Sequence, residues 1–195
     1  MKRTISLVIY AVFVLMVANA FAEEKVPIGN LGKGNLAIKV GYINFTDDFF
    51  SEYDDEGVYL GIEGYVGITD NFYLGGEVGV ADNVTLFGGE DIDYVPVELN
   101  AKYAVSLNPH FIFDIGGGLS YNYVKITYSN IFSNSDPVER GEDWLIGGQV
   151  FSDLTFRINW FSIGLYGKYQ ITDDFEDTDT DLSNFRWGLN VGIIF

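Results

Sequence analysis

The stretch Phe185-Arg186-Trp187-Gly188-Leu189-Asn190-Val191-Gly192-Ile193-Ile194-Phe195 alternates with a period of two. Phe185, Trp187, Leu189, Val191, Ile193 and Phe195 share one face and are all apolar, while Arg186, Gly188, Asn190, Gly192 and Ile194 share the other. Successive side chains of an extended strand point to opposite faces, so the pattern predicts a strand with one apolar side.

The same phase recurs upstream. Val58, Leu60, Ile62, Val66 and Ile68 alternate with Tyr59, Gly61, Glu63, Tyr65 and Gly67. Phe72, Leu74, Val78 and Val80 oppose Tyr73, Gly75, Glu77 and Gly79, and Val95, Val97, Leu99, Ala101, Tyr103 and Val105 oppose Tyr94, Pro96, Glu98, Asn100, Lys102 and Ala104. Phe111, Phe113, Ile115, Leu119 and Tyr121 oppose Ile112, Asp114, Gly116, Gly118, Ser120 and Asn122. Segments near 35–45 and 160–170 follow the same rule, with Lys39 and Lys168 on the mixed face. The segment 144–156 obeys it least, because Ser152 falls on the apolar face and Phe151 on the other.

These segments number eight, and the connections between them alternate in length. Short ones are Thr69-Asp70-Asn71, Ser106 to His110 and Arg157-Ile158-Asn159; long ones are 46–57, 81–93, 124–143 and 171–184. The expected fold is therefore all-β: an eight-stranded antiparallel up-and-down transmembrane β-barrel with short periplasmic turns and long extracellular loops. Closure of an even number of strands leaves no exposed edge. A soluble lipocalin-like barrel is the rival, but its apolar face points inward. Tight turns at one end, long acidic loops at the other and aromatics near both ends of the apolar faces favour a lipid-facing band with aromatic girdles.

The first residues specify export. Lys2 and Arg3 precede an apolar run from Ile5 to Val17, then Ala18-Asn19-Ala20-Phe21-Ala22 supplies small residues for cleavage. The run is too short to cross a bilayer as a helix. The expected organisation is a signal peptide at 1–22, a short periplasmic leader at 23–34 and the barrel at 35–195. Two of the 11 basic residues and none of the 28 acidic ones lie in the signal, so the remainder carries a formal charge of −19. A nucleic-acid partner is excluded on that charge. Cysteine is absent, which rules out disulfides and thiolate chemistry.

The terminal RWGLNVGIIF, the strand YVPVELNAKY, the turn ITDNFYLG and the glycine-rich FDIGGGLSY resemble the small outer-membrane barrels of the OmpA and OmpX type, across essentially all of the exported part. The resemblance implies residence in the outer membrane, among outer-membrane lipid and lipopolysaccharide. It also implies an insertion signal formed by Trp187, Leu189, Val191, Ile193 and Phe195 and read by the barrel-assembly machinery. The sequence stops at the eighth segment, so no peptidoglycan-binding domain of the OmpA kind is expected to follow.

On this register nine charges project into the lumen: Lys39, Glu63, Glu77, Glu98, Lys102, Asp114, Asp153, Lys168 and Arg186. An eight-stranded barrel is just wide enough for its own side chains, so a paired, space-filling network is favoured over a narrow ion-conducting channel. Pro96 forfeits a ladder hydrogen bond and is expected to mark a bulge. The long connections hold 20 of the 28 acids. Asp177, Asp179 and Asp181 have alternate spacing suited to a weak divalent-cation site, though Leu182 stands where an EF-hand loop needs glycine and Gly188 where it needs an acid. A lipid A-modifying enzyme would need a histidine with a serine or acidic partner; the sole histidine, His110, sits in a short turn without one. The expected function is a non-enzymatic, cofactor-free barrel that displays acidic loops, in envelope integrity or surface interaction.

Overall fold

A computed structural model describes residues 31–46, 56–86, 90–128, 138–175 and 181–195. The expected signal peptide at 1–22 and most of the expected leader at 23–34 lie outside the described residues. Eight strands run β1 (Gly34–Phe45), β2 (Glu56–Gly67), β3 (Phe72–Leu86), β4 (Glu90–Ser106), β5 (Phe111–Tyr128), β6 (Val138–Ile158), β7 (Phe161–Thr172) and β8 (Asn184–Ile194). Each pairs antiparallel with the next, and β1 pairs with β8 from Asn35↔Ile194 to Phe45↔Asn184, which closes the barrel.

Alternation decides which side chains face out. Leu99, Leu119, Leu165 and Val150 are among the most exposed large apolar residues, at 70%, 67%, 59% and 62%. Their inward neighbours Glu98, Ser120, Tyr166 and Gln149 are buried. An apolar exterior around a polar interior is the inverse of a soluble barrel, and only a hydrocarbon surrounding makes such a surface stable. Aromatic side chains rim the band: Tyr42, Tyr121, Trp144, Tyr169, Phe185 and Trp187 near the end with long connections, and Phe72, Tyr103, Phe111 and Phe161 near the end with short turns. In β6, Ser152 faces out and Phe151 is buried inside, so the weakest alternation nonetheless keeps its phase.

The tight turns occupy 68–71, 107–110 and 159–160. Asn108 Oδ1 accepts from the backbone N–H groups of His110 and Phe111 at 2.9 Å each, which fixes one turn. Asn159 takes the left-handed conformation (φ 55°) that the last requires, a geometry asparagine tolerates better than β-branched residues do.

Two features depart from the sequence reading. First, the regions 81–93 and 124–143 are largely strand. β3 and β4 continue their pairing to Leu86↔Glu90, and β5 and β6 to Tyr128↔Val138. Beyond the bilayer a hairpin ladder needs backbone pairing but no apolar face, so hydropathy carries no signal for it. Second, Pro96 does not itself shift the register. Pairing between β3 and β4 skips Gly79, Val80, Val95 and Pro96 and resumes unshifted at Ala81↔Tyr94, and the bulge lies beyond, between Ala81 and Val84. A missing N–H breaks the ladder locally without inserting a residue.

The last residues of the expected leader belong to the barrel. Leu31 is 2% exposed and packs with Tyr65, Tyr73, Ala104, Ile112, Phe151 and Ile194 at the short-turn end. The N–H groups of Lys33 and Gly34 donate to the Phe195 carbonyl at 2.5 and 3.0 Å, and Tyr73 Oη donates to the Gly32 carbonyl at 3.0 Å. A strap of Leu31, Gly32 and Lys33 thus fills the mouth of the lumen.

A charge at the centre of the apolar band tests its orientation. Leu165→Arg is expected to destabilise the barrel by about 2–4 kcal/mol, read as a lowered urea midpoint in phospholipid vesicles, whereas an aqueous exterior would make the change nearly neutral.

Candidate functional site

The candidate site is the lumen. All nine charges assigned to it by alternation are buried there, between 0% and 5% exposed. A tenth was missed: Arg157, read as part of a turn, lies on β6 two inward positions beyond Asp153 and is 5% exposed. Continuing the parity of Phe151, Asp153 and Thr155 by one step would have found it. With Arg157 the described residues place five buried acids against five buried bases, so the interior is formally neutral.

The charges are segregated by wall. Glu63 on β2, Glu77 on β3 and Glu98 on β4 stand directly opposite one another in register, and Asp114 on β5 pairs with Asp153 on β6. Lys168 on β7 pairs with Arg186 on β8, with Lys39 on the adjoining β1. Like charges side by side on neighbouring strands repel. The compensation therefore comes across the barrel from Lys168 and Arg186, and from neighbouring strands through Lys39 on β1 and Lys102 on β4. Lys168 Nζ lies 2.6 Å from Glu77 Oε2 and 2.5 Å from Glu98 Oε2, Lys39 Nζ lies 2.8 Å from Glu63 and 3.3 Å from Glu77, and Arg186 Nη2 lies 2.7 Å from Glu98 Oε1. Contacts to the second acidic pair are longer, with Lys102 3.5 Å from Asp114 and Lys39 3.8 Å from Asp153.

Aromatic rings fill the space between the ions. Tyr59 Oη donates to Glu77 Oε1 at 2.5 Å while its ring lies 4.9 Å from the Arg186 guanidinium. Lys102 sits 4.1 Å over Tyr65, and Lys39 sits 4.7 Å over Tyr166 and 5.8 Å from Phe151. These inward rings need glycines beside them: a Cβ on Gly61 or Gly79 would overlap Tyr59, and one on Gly75 would overlap Tyr65. The glycine-tyrosine alternation seen in the sequence is thus a packing device, rings of one strand lying over bare backbone of the next.

Toward the long-connection end the ions give way to amides. Tyr94 Oη donates to Gln170 Oε1 at 2.6 Å, Gln170 Nε2 donates to Ser120 Oγ and to Asn122 Oδ1, and Asn184 Nδ2 donates to the Leu182 carbonyl at 2.8 Å. Gln170 Oε1 also accepts from Arg186 Nη2 at 2.8 Å, which ties this layer to the charged one. Both ends of the ionic layer are covered, by the amides on one side and by Leu31 with its aromatic neighbours on the other.

The remaining candidates lie elsewhere. Asp177 and Asp179 are outside the described residues. Asp181 forms an isolated bridge with Asp174, and its Oδ1 accepts from the Ser183 N–H at 2.8 Å. His110 Nδ1 lies 3.2 Å from the Arg157 carbonyl and its ring is 5.9 Å from Phe156, a turn-stabilising setting. Trp187, Leu189 and Val191 face outward on β8 at 48%, 51% and 42% exposure, and Ile193 and Phe195 are half-buried at the short-turn rim.

With this geometry in hand, comparison with known proteins is informative at the level of architecture. No protein-family model matches the sequence, and no curated protein matches it. Solved structures do. The barrel is similar to Neisserial surface protein A, with a TM-score of 0.66 at 10% identity over 84% of this chain and 97% of that one. It is similar also to Ail, the attachment invasion locus protein of Yersinia pestis, at 0.58 and 13% over 87% and 100%. The N-terminal barrel domain of Pseudomonas aeruginosa OprF matches at 0.53 and 17% over 83% and 97%. The fold is that of the small outer-membrane β-barrels. At these identities the likeness is one of fold.

Lys168 makes two short ion pairs, with Glu77 and Glu98, so Lys168→Met should cost about 3–5 kcal/mol by leaving both under-compensated. The double variant Glu98→Gln/Lys168→Met should regain part of that loss; urea unfolding in vesicles measures both, and strictly additive losses would show that the two residues do not act as a pair.

Proposed function

We propose that the protein is a sealed, non-enzymatic outer-membrane barrel, a rigid membrane anchor that holds acidic connections at the cell surface for envelope integrity or surface contact. The observation that carries this reading is the neutral, cross-braced ionic layer in the lumen, covered at both ends. An ion path needs either a surplus of one charge or water along its length. Here each of Glu63, Glu77 and Glu98 has a base within 3 Å, and inward tyrosines occupy the space between. Displacing a base from such a pair in a low-dielectric interior is costly.

The outer end supports the surface role. The end with the long connections carries 20 of the 28 acidic residues, within 46–57, 81–93, 124–143 and 171–184, the ends of the strands there included. A dense negative fringe repels like-charged neighbours and attracts divalent cations. The names of two structural neighbours, a surface protein of Neisseria and an attachment invasion protein of Yersinia pestis, fit such a role. On the opposite rim, the outward row ending in Ile193 and Phe195 suits recognition by the barrel-assembly machinery.

Planar bilayers test the seal. Purified protein is expected to give no stable unit conductance, with Lys168→Met raising the frequency of brief, ill-defined openings. A stable step in the unaltered protein, shifted in ion selectivity by Lys168→Met, would replace the anchor reading with a narrow channel. Heat-dependent mobility in detergent gels checks the barrel separately.

A further inference from the structure

Most inward glycines of this barrel are explained by the barrel itself, because a Cβ would strike a neighbouring ring or carbonyl. Gly148 is not. It faces outward on β6, and a Cβ there would meet only the Gly118 carbonyl oxygen, at an ordinary 3.8 Å. Glycine in a strand interior costs about 0.5–1 kcal/mol relative to alanine and often marks a place where a ligand approaches the backbone. Gly148 lies in an open groove of about 550 Å³. Its rim is Leu119, Ile146, Val150, Tyr169 and Ile171, its floor is largely backbone of β5, β6 and β7, and Thr172 and Asp173 line its long-connection end.

The groove is part of the apolar band and opens where hydrocarbon must lie, so the occupant that its continuity with the lipid interface selects is an acyl chain. Its position along the strands adds a second element. Two residues toward the long-connection end from Leu119 on β5 and from Ile146 on β6, the groove runs into an aromatic platform, while the matching position after β7 is Asp173. Tyr121 and Trp144 stack with centroids 4.6 Å apart and planes at 17°, and Tyr123 adds its ring 5.2 Å from Trp144. Tyr123 Oη donates to Glu142 Oε2 at 2.8 Å, which marks the passage to water. Flat, exposed rings at the headgroup level stack against the apolar faces of sugars, whereas a phosphoglycerol headgroup offers no such face.

We infer that the outer half of β5–β7 is a docking site for a glycolipid of the outer leaflet, one acyl chain lying over Gly148 and the sugar against Tyr121 and Trp144. The inference rests on the membrane reading and on the long connections facing outward. The aromatic stack orients the sugar, and the groove holds the chain beneath it.

Native mass spectrometry of the protein released from nanodiscs containing lipid A and phosphatidylglycerol tests the site. The unaltered protein is expected to retain lipid A preferentially. Gly148→Trp fills the groove without an internal clash and should lower retention at least tenfold, while Leu60→Trp, on the lipid face of β2, should leave it unchanged. Trp144→Ala should reduce the preference for lipid A over phosphatidylglycerol more than it reduces total lipid retained. Equal retention by Gly148→Trp and the unaltered protein would overturn the proposal, as would equal retention of the two lipids by the unaltered protein. Heat-dependent gel mobility of every variant keeps the outcomes separate: its absence in the unaltered protein would sink the membrane reading itself, and its loss in Gly148→Trp alone would direct the test to the milder Gly148→Leu, for which the same tenfold criterion holds.

Discussion

Three glutamates side by side on one wall of the barrel, met by Lys168 and Arg186 from the opposite wall and by Lys39 from the adjoining β1, set the terms for the rest of the molecule. Neither wall is tolerable alone, since adjacent like charges repel and a buried ion without a partner is strongly disfavoured. The barrel must close for the walls to meet. Closure in turn fixes everything that the interior needs: tyrosines that fill the gaps between ions, glycines that admit the tyrosine rings, and an amide layer that satisfies the charged layer from above. The ion pairs are not an addition to a hydrophobic core; in this fold they take its place, because the apolar surface has been spent on lipid.

That inversion explains why composition and alternation were enough to read the architecture. Outward positions such as Leu60, Val97 and Leu189 and inward positions such as Tyr59, Glu98 and Asn190 differ by one step along a strand, and hydrocarbon imposes the apolar choice on every second residue. Parity also separated the inward charges from the outward apolar residues. It could not say which acid meets which base, because contacts across the lumen depend on strand tilt and stagger, and a strand read in isolation contains neither. Lys168 reaches Glu77 across 91 positions of sequence.

Where one face is not held against hydrocarbon, legibility fell. The upper parts of β3, β4, β5 and β6 read as loops because the apolar alternation of the lower parts does not continue into them. Arg157 was assigned to a turn because alternation loses its meaning within a step of a strand end. The strap of Leu31, Gly32 and Lys33 carries no period at all, and its place in the lumen mouth follows only from the tertiary position of Phe195, Tyr73 and Ile194.

The seam between β1 and β8 has a temporal consequence. It joins the first strand to be synthesised to the last, with the strap adding hydrogen bonds across the same seam. Such a pairing has the largest sequence separation the topology permits, and loop closure over that separation must precede any benefit from it. Of the bases that meet the glutamates of β2 to β4, Lys39 on β1 precedes them, while Lys168 and Arg186 on β7 and β8 come last. Until then the chain is polar on one side of each strand and unable to settle in lipid. Among the described residues no helix is long and apolar enough to cross a membrane, so the surface that faces hydrocarbon comes into being only with the closed barrel.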